Sequence, residues 1–143
     1  MAEQNFSNHA KIVPPYHFGI SIVLLINLGF AAWSLFKGFS FATVMQLLLA
    51  FVFLGFFWYM RIFAITVQNR VIRLEMRLRL KEILPDDLRG RIHDLTTTQL
   101  IALRFASDEE MPELVKAVLD GELQGGKAIK QRIKNWQADH LRC

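Results

Sequence analysis

The chain has a single cysteine, Cys143, at its last position. A lone cysteine excludes an intrachain disulfide and any cysteine-based metal cluster. Its placement also fails the prenylation pattern, which needs residues beyond the cysteine. It is consistent with a reducing compartment. The arrangements that carry most catalysis are missing too: there is no GxSxG elbow, no P-loop, no GxGxxG, no HExxH and no paired-cysteine site. Charge is nearly absent from one half. Between Ile12 and Met60 the only lysine or arginine is Lys37 and there is no acid, whereas 15 of the 17 Lys and Arg lie at or after Arg61. The net charge of +4 is modest, and a basic membrane-proximal region accounts for it without a nucleic-acid partner.

What is present is apolar length. Residues 1–15 form a polar tail ending in Pro14-Pro15, which stiffens the chain ahead of the first apolar run. Residues 18–36 and 41–60 are then uncharged runs of 19 and 20 residues, separated by Lys37-Gly38 and a short loop. About 20 residues at about 1.5 Å each cross the roughly 30 Å of hydrocarbon in a bilayer. The expectation is an all-α protein: a transmembrane hairpin over 16–60, a second helix extending into the cytoplasm over 61–84, and a small cytoplasmic helical domain over 85–143. A cleaved signal peptide would need a basic start and a shorter apolar core.

Orientation is set by the flanks. Arg61, Arg70, Arg73, Arg77, Arg79 and Lys81 come after the second run, while the loop offers Lys37 alone, so the positive-inside rule puts both termini in the cytoplasm. Tyr16, Trp58 and Tyr59 suit the cytoplasmic interface, and Trp33, Phe39 and Phe41 the opposite one.

No proline or glycine falls between Gly55 and Pro85, so the second run is expected to continue as helix to about Leu84. On it Val67, Val71, Leu74 and Leu78 recur at spacings of 4, 3 and 4, a coiled-coil-like seam, and Ile72, Met76, Leu80 and Ile83 make a second apolar row. So much apolar surface calls for packing partners. Beyond Pro85 the start signals are Asp86-Asp87, Thr96 with Gln99, and Ser107 with Glu110. Gly121 and Gly125-Gly126 precede a last helix expected from Lys127 to about Leu141. The candidate core is Leu88, Ile92, Leu95, Leu100, Leu103, Phe105, Met111, Leu114, Val118, Ile129, Ile133 and Trp136. A domain this small also leans on the 61–84 helix.

Functional candidates are few. Asn27 and Gln46 are the side-chain amides within the runs, and their default role is to glue helices together, within the hairpin or to another subunit. No ionisable group lies within either run, which weighs against a transporter. The basic set Arg70, Arg73, Arg77, Arg79 and Lys81 has three open readings: a topology anchor with a solvated face, a surface for an acidic protein partner, or attraction to membrane lipids. The acidic clusters Asp86-Asp87 and Asp108-Glu109-Glu110 suit first turns of helices. Arg104 with Asp108 and Glu109 can pair within the domain or engage a partner. Of His9, His17, His93 and His140, only His17 sits near a run, and haem ligation there needs a second histidine that the other run lacks.

The segments MAEQNFSNHA (1–10), RLEMRLRL (73–80), LRFASDEE (103–110) and IKNWQAD (133–139) resemble a family of small uncharacterised bacterial membrane proteins, a domain of unknown function. The resemblance covers nearly the whole chain. It implies an inner-membrane hairpin with cytoplasmic helices and brings no activity, cofactor or catalytic residue. The leading expectation is a non-enzymatic accessory or scaffold subunit that packs in a larger membrane complex or with copies of itself, with no cofactor and no nucleic acid. The alternatives are a membrane-bound haem protein or enzyme, which a Soret band would reveal, and a tethered binder of anionic ligands, which steep salt dependence would reveal.

Overall fold

The computed structural model describes residues 12–139. The expectations for residues 1–11, His140 and Cys143 lie outside them. The regular structure is helical, in the order of a π-helical turn Pro15–Ile20, α1 Ser21–Lys37, α2 Phe41–Ile83, α3 Asp86–Arg89, a 3-10 turn Ile92–Asp94, α4 Thr97–Leu103, α5 Met111–Leu119 and α6 Gly125–Arg132. The chain forms two compact units, 11–64 and a second running from Ile65 onward.

In the first unit, proline opens the helical stretch, where its missing N–H costs nothing. The N–H of Val13 donates to His17 Nδ1 at 3.0 Å, which satisfies one donor at this end. α1 ends at Lys37, and the loop 38–40 returns the chain. Ser40 and Thr43 then cap α2 reciprocally: the Thr43 N–H donates to Ser40 Oγ (3.2 Å) and the Ser40 N–H to Thr43 Oγ1 (3.0 Å). At the far end of the hairpin the Tyr16 ring stacks on Phe57 with centroids 4.4 Å apart, and its hydroxyl donates to the Phe57 carbonyl at 2.7 Å. Ala31 and Ala50 are buried, small side chains of the kind that let helices approach closely. Many of the large apolar side chains of this unit are exposed, Val23, Leu25, Phe56 and Trp58 among them. Both helical stretches contain a segment long and apolar enough to cross a membrane.

The second unit has a closed core. Ile72, Met76, Leu80 and Leu84 pack against Leu88, Ile92, Leu95, Leu100, Leu103, Met111, Leu114, Val115, Val118 and Ile129. The small domain thus leans on the later part of α2, as its size requires. Pro85 ends α2, and Arg89 holds the end: it pairs with Asp86 at 2.7 Å and donates to the Leu84 carbonyl at 2.9 Å. The capping box at the start of α4 is complete, with the Gln99 N–H on Thr96 Oγ1 and the Thr96 N–H on Gln99 Oε1. α5 stops in a Schellman arrangement. Glu122 N–H reaches the Ala117 carbonyl at 3.0 Å and Gly121 N–H the Val118 carbonyl at 3.2 Å, with Gly121 at φ +83°.

The last helix is shorter than its sequence suggests. α6 covers Gly125–Arg132, Ile133 is extended, and the chain bends at residues 134 and 135. The cause is Glu110, whose carboxylate accepts the N–H groups of Lys134 (3.1 Å), Asn135 (3.2 Å) and Ser107 (3.4 Å). Charge-assisted bonds of this kind outweigh continued helix. Nearer the C-terminus, Gln137 N–H donates to the Phe105 carbonyl at 2.7 Å, and Trp136 stacks on Phe105 with centroids 4.6 Å apart. Among the described residues the one strand-like feature is the isolated bridge between Ala106 and Trp136.

Candidate interaction site

The basic stretch of α2 separates by environment. Arg79 is about three-quarters buried and belongs to the fold. Its Nε donates to Asp108 Oδ1 at 2.7 Å, and its terminal nitrogens reach the carbonyls of Arg104 (3.3 Å) and Ala106 (2.8 Å) and the Gln137 side chain (3.0 Å). A guanidinium carries five donors in a planar fork, so one side chain can bind α2 to both the turn after α4 and the C-terminal segment. Arg104 is held elsewhere, 3.4 Å from Asp139 and with its guanidinium 4.6 Å over the Phe105 ring. Pairing within the domain therefore occurs, but Asp108 takes Arg79 and Arg104 takes Asp139. Sequence spacing could not show this, because 29 residues separate Arg79 from Asp108.

Arg70, Arg73 and Lys81 are exposed, and Arg77 is half-buried with its Nε enclosed. Among the described residues no ion pair engages these four. The two apolar rows on this part of α2 separate as well. Ile72, Met76 and Leu80 are in the core, while Val67, Val71, Leu74 and Leu78 remain exposed. The surface that α2 presents outward is thus an apolar stripe with free charges beside it.

The remaining candidates stay apart. Asn27 is exposed on α1 and Gln46 half-buried on α2, and among the described residues no hydrogen bond joins their amides. His17 has its Nδ1 engaged by Val13. Asp86 and Asp87 lie in the first turn of α3, as negative charge near a helix start favours. Glu110 does more than complement a dipole, since it gathers three backbone donors. Among the described residues no group of three or more His, Cys, Asp or Glu is placed to hold a metal ion. An open cleft of about 360 Å³ beside α5 is lined by Glu113, Lys116, Asp120, Glu122, Leu123 and Arg132, a mixture of both charges.

Two apolar helices of membrane-crossing length, with small helices around a closed core after them, define the class: an all-helical protein with an apolar hairpin and a polar helical domain. The chain belongs to the family described as Family of unknown function (DUF6526), which matches residues 1–143. No curated protein and no solved structure matches it.

Proposed function

We propose that the protein is a non-enzymatic accessory or scaffold subunit of the bacterial inner membrane. In this reading the hairpin crosses the bilayer twice with both termini in the cytoplasm, packs in a larger membrane complex or with copies of itself, and presents the helical domain to cytoplasmic partners. The observation that carries it is the quantity of large apolar side chain left outside any core. Leu25 is 61% exposed, Ile26 66%, Phe56 64% and Trp58 67%, while the same chain closes a core around Leu100 and Val115. Contiguous apolar surface on this scale is covered by lipid or by protein. The bias of Arg and Lys to the far side of the second span supports the orientation.

Purification from native membranes in mild detergent, with mass spectrometry of whatever co-purifies, tests the reading. A stoichiometric assembly, with other subunits or with further copies, is the expected result. A monomer that retains no partner overturns it.

A second reading has an observation of its own. Arg70, Arg73 and Lys81 are exposed without ion pairs among the described residues, as a face binding anionic headgroups would need. Vesicle binding by the domain that falls steeply with salt favours this reading, and salt-insensitive binding rules it out.

A further inference from the structure

The stripe Val67, Val71, Leu74 and Leu78 fits a heptad with Val71 and Leu78 at a and Val67 and Leu74 at d. All four are exposed, from 48% at Val71 to 61% at Val67 and Leu74. Ile72, Met76 and Leu80, which the domain covers, lie about 180° around the helix at about 100° per residue. Packing the domain therefore leaves the seam untouched. The central step, valine at a followed by leucine at d, is the combination that favours two parallel strands.

The same register fixes the flanks. Arg70 and Arg77 fall at g, and Glu75 and Glu82 fall at e. In a parallel two-stranded coil a g residue faces the e residue of the following heptad on the other helix, and such pairs set partner choice and orientation. Arg70 then faces Glu75 and Arg77 faces Glu82, opposite charges in both cases, and two-fold symmetry repeats each pair. An antiparallel arrangement would set arginine against arginine and glutamate against glutamate. Among the described residues no intrachain ion pair engages any of the four, and Arg77 Nε is buried without a partner there.

We propose that α2 joins two copies of this chain as a parallel coiled coil along Val67, Val71, Leu74 and Leu78, registered by Arg70–Glu75 and Arg77–Glu82 pairs between copies. The inference rests on the membrane-subunit reading and names its partner. Two heptads alone are marginal in water. Insertion of both copies in one bilayer with the same orientation holds the helices parallel and raises their effective concentration.

Single cysteines in the full-length chain, in native membranes and a Cys143→Ser background, provide the test. Under mild oxidation Val71→Cys and Leu74→Cys are expected to give a disulfide-linked dimer of twice the chain mass, and Arg73→Cys, off the seam, only background. In the Val71→Cys chain, Glu75→Lys with Glu82→Lys should abolish the dimer band, and adding Arg70→Glu with Arg77→Glu should restore it. Unchanged hydrogen exchange in α4 checks that every variant remains folded, those at the half-buried Arg77 included. Dimer at Val71 no greater than at Arg73 overturns the proposal. A dimer indifferent to charge reversal overturns the parallel register. Adducts of another mass at Val71, captured with a lysine-reactive heterobifunctional linker, overturn the second copy as occupant while leaving the accessory-subunit reading standing.

Discussion

Arg73 and Arg79 carry the same guanidinium on the same helix, and what separates them is what lies opposite. Arg79 meets two backbone carbonyls, a carboxylate and an amide. Asp108 is 59% exposed, so the ion pair itself contributes less than about 1 kcal/mol. The carbonyls of Arg104 and Ala106 matter more, since a charged donor is withdrawn from them on truncation. Arg79→Met is expected to destabilise the helical domain by about 2 to 3 kcal/mol. Arg73→Ala, with an exposed side chain, should stay within about 0.5 kcal/mol. Urea titration of the detergent-solubilised protein, read out by hydrogen exchange at residues 104–106, measures both. A loss for Arg79→Met as small as that for Arg73→Ala would show that the bonds of Arg79 contribute no stability. None of this could be read from composition. The sequence marks five basic residues along one stretch of helix, and the spacing of Arg79 from Met76 and Ile83 sets it beside the inner apolar row. The groups it binds, however, lie 25 to 58 residues away.

Among the elements, legibility tracks the range of the interaction. The capping box of Thr96 and Gln99 spans three residues and is evident from the letters alone, as are the uninterrupted α2 and its stop at Pro85. The end of α6 is not, because the group that stops it is Glu110, 24 and 25 residues away from the amides it binds. The Ser40–Thr43 cap is local and legible in principle, as hydroxyl residues at capping-box spacing, but nothing in a short loop between apolar runs marks it out. Glu110→Ala should free the segment 133–137. The expected outcome is a large rise in amide exchange at Lys134 and Asn135 with α4 still protected, and unchanged exchange at both amides would contradict that role. The two rows of α2 differ in the same measurable way. Met76→Ala opens a cavity in the core and is expected to cost about 2 to 5 kcal/mol. Leu74→Ala, 61% exposed, should leave the folding of the domain nearly unchanged. Similar losses in urea for both would refute the division of the helix into a packed row and a free one.

For the whole molecule, the strongest sequence feature is the segregation of charge, and it maps onto two compact units. An apolar run needs no tertiary information to be recognised, so the hairpin helices are legible almost residue by residue. A core drawn from periodicity also holds well: ten of its twelve members are buried, and Ile133 and Trp136 are half-buried where the chain leaves α6 early. What a single chain does not display is what covers its outward faces. The hairpin and the seam on α2 both expose apolar surface, and lipid, a second copy and a larger complex each bury it by the same physics. Membrane insertion with a cytoplasmic helical domain is the claim on which the others depend. Its most direct test is single-cysteine accessibility in intact cells, with a membrane-impermeant thiol reagent and Cys143 replaced. Phe39→Cys is the better probe of the loop, since Ser40 is occupied in capping α2 and Phe39 is 85% exposed. Labelling of Phe39→Cys from outside in intact cells, and of Ser7→Cys only after permeabilisation, is the expected result. Labelling of Ser7→Cys but not Phe39→Cys from outside, or recovery of the chain in the soluble fraction, would contradict it.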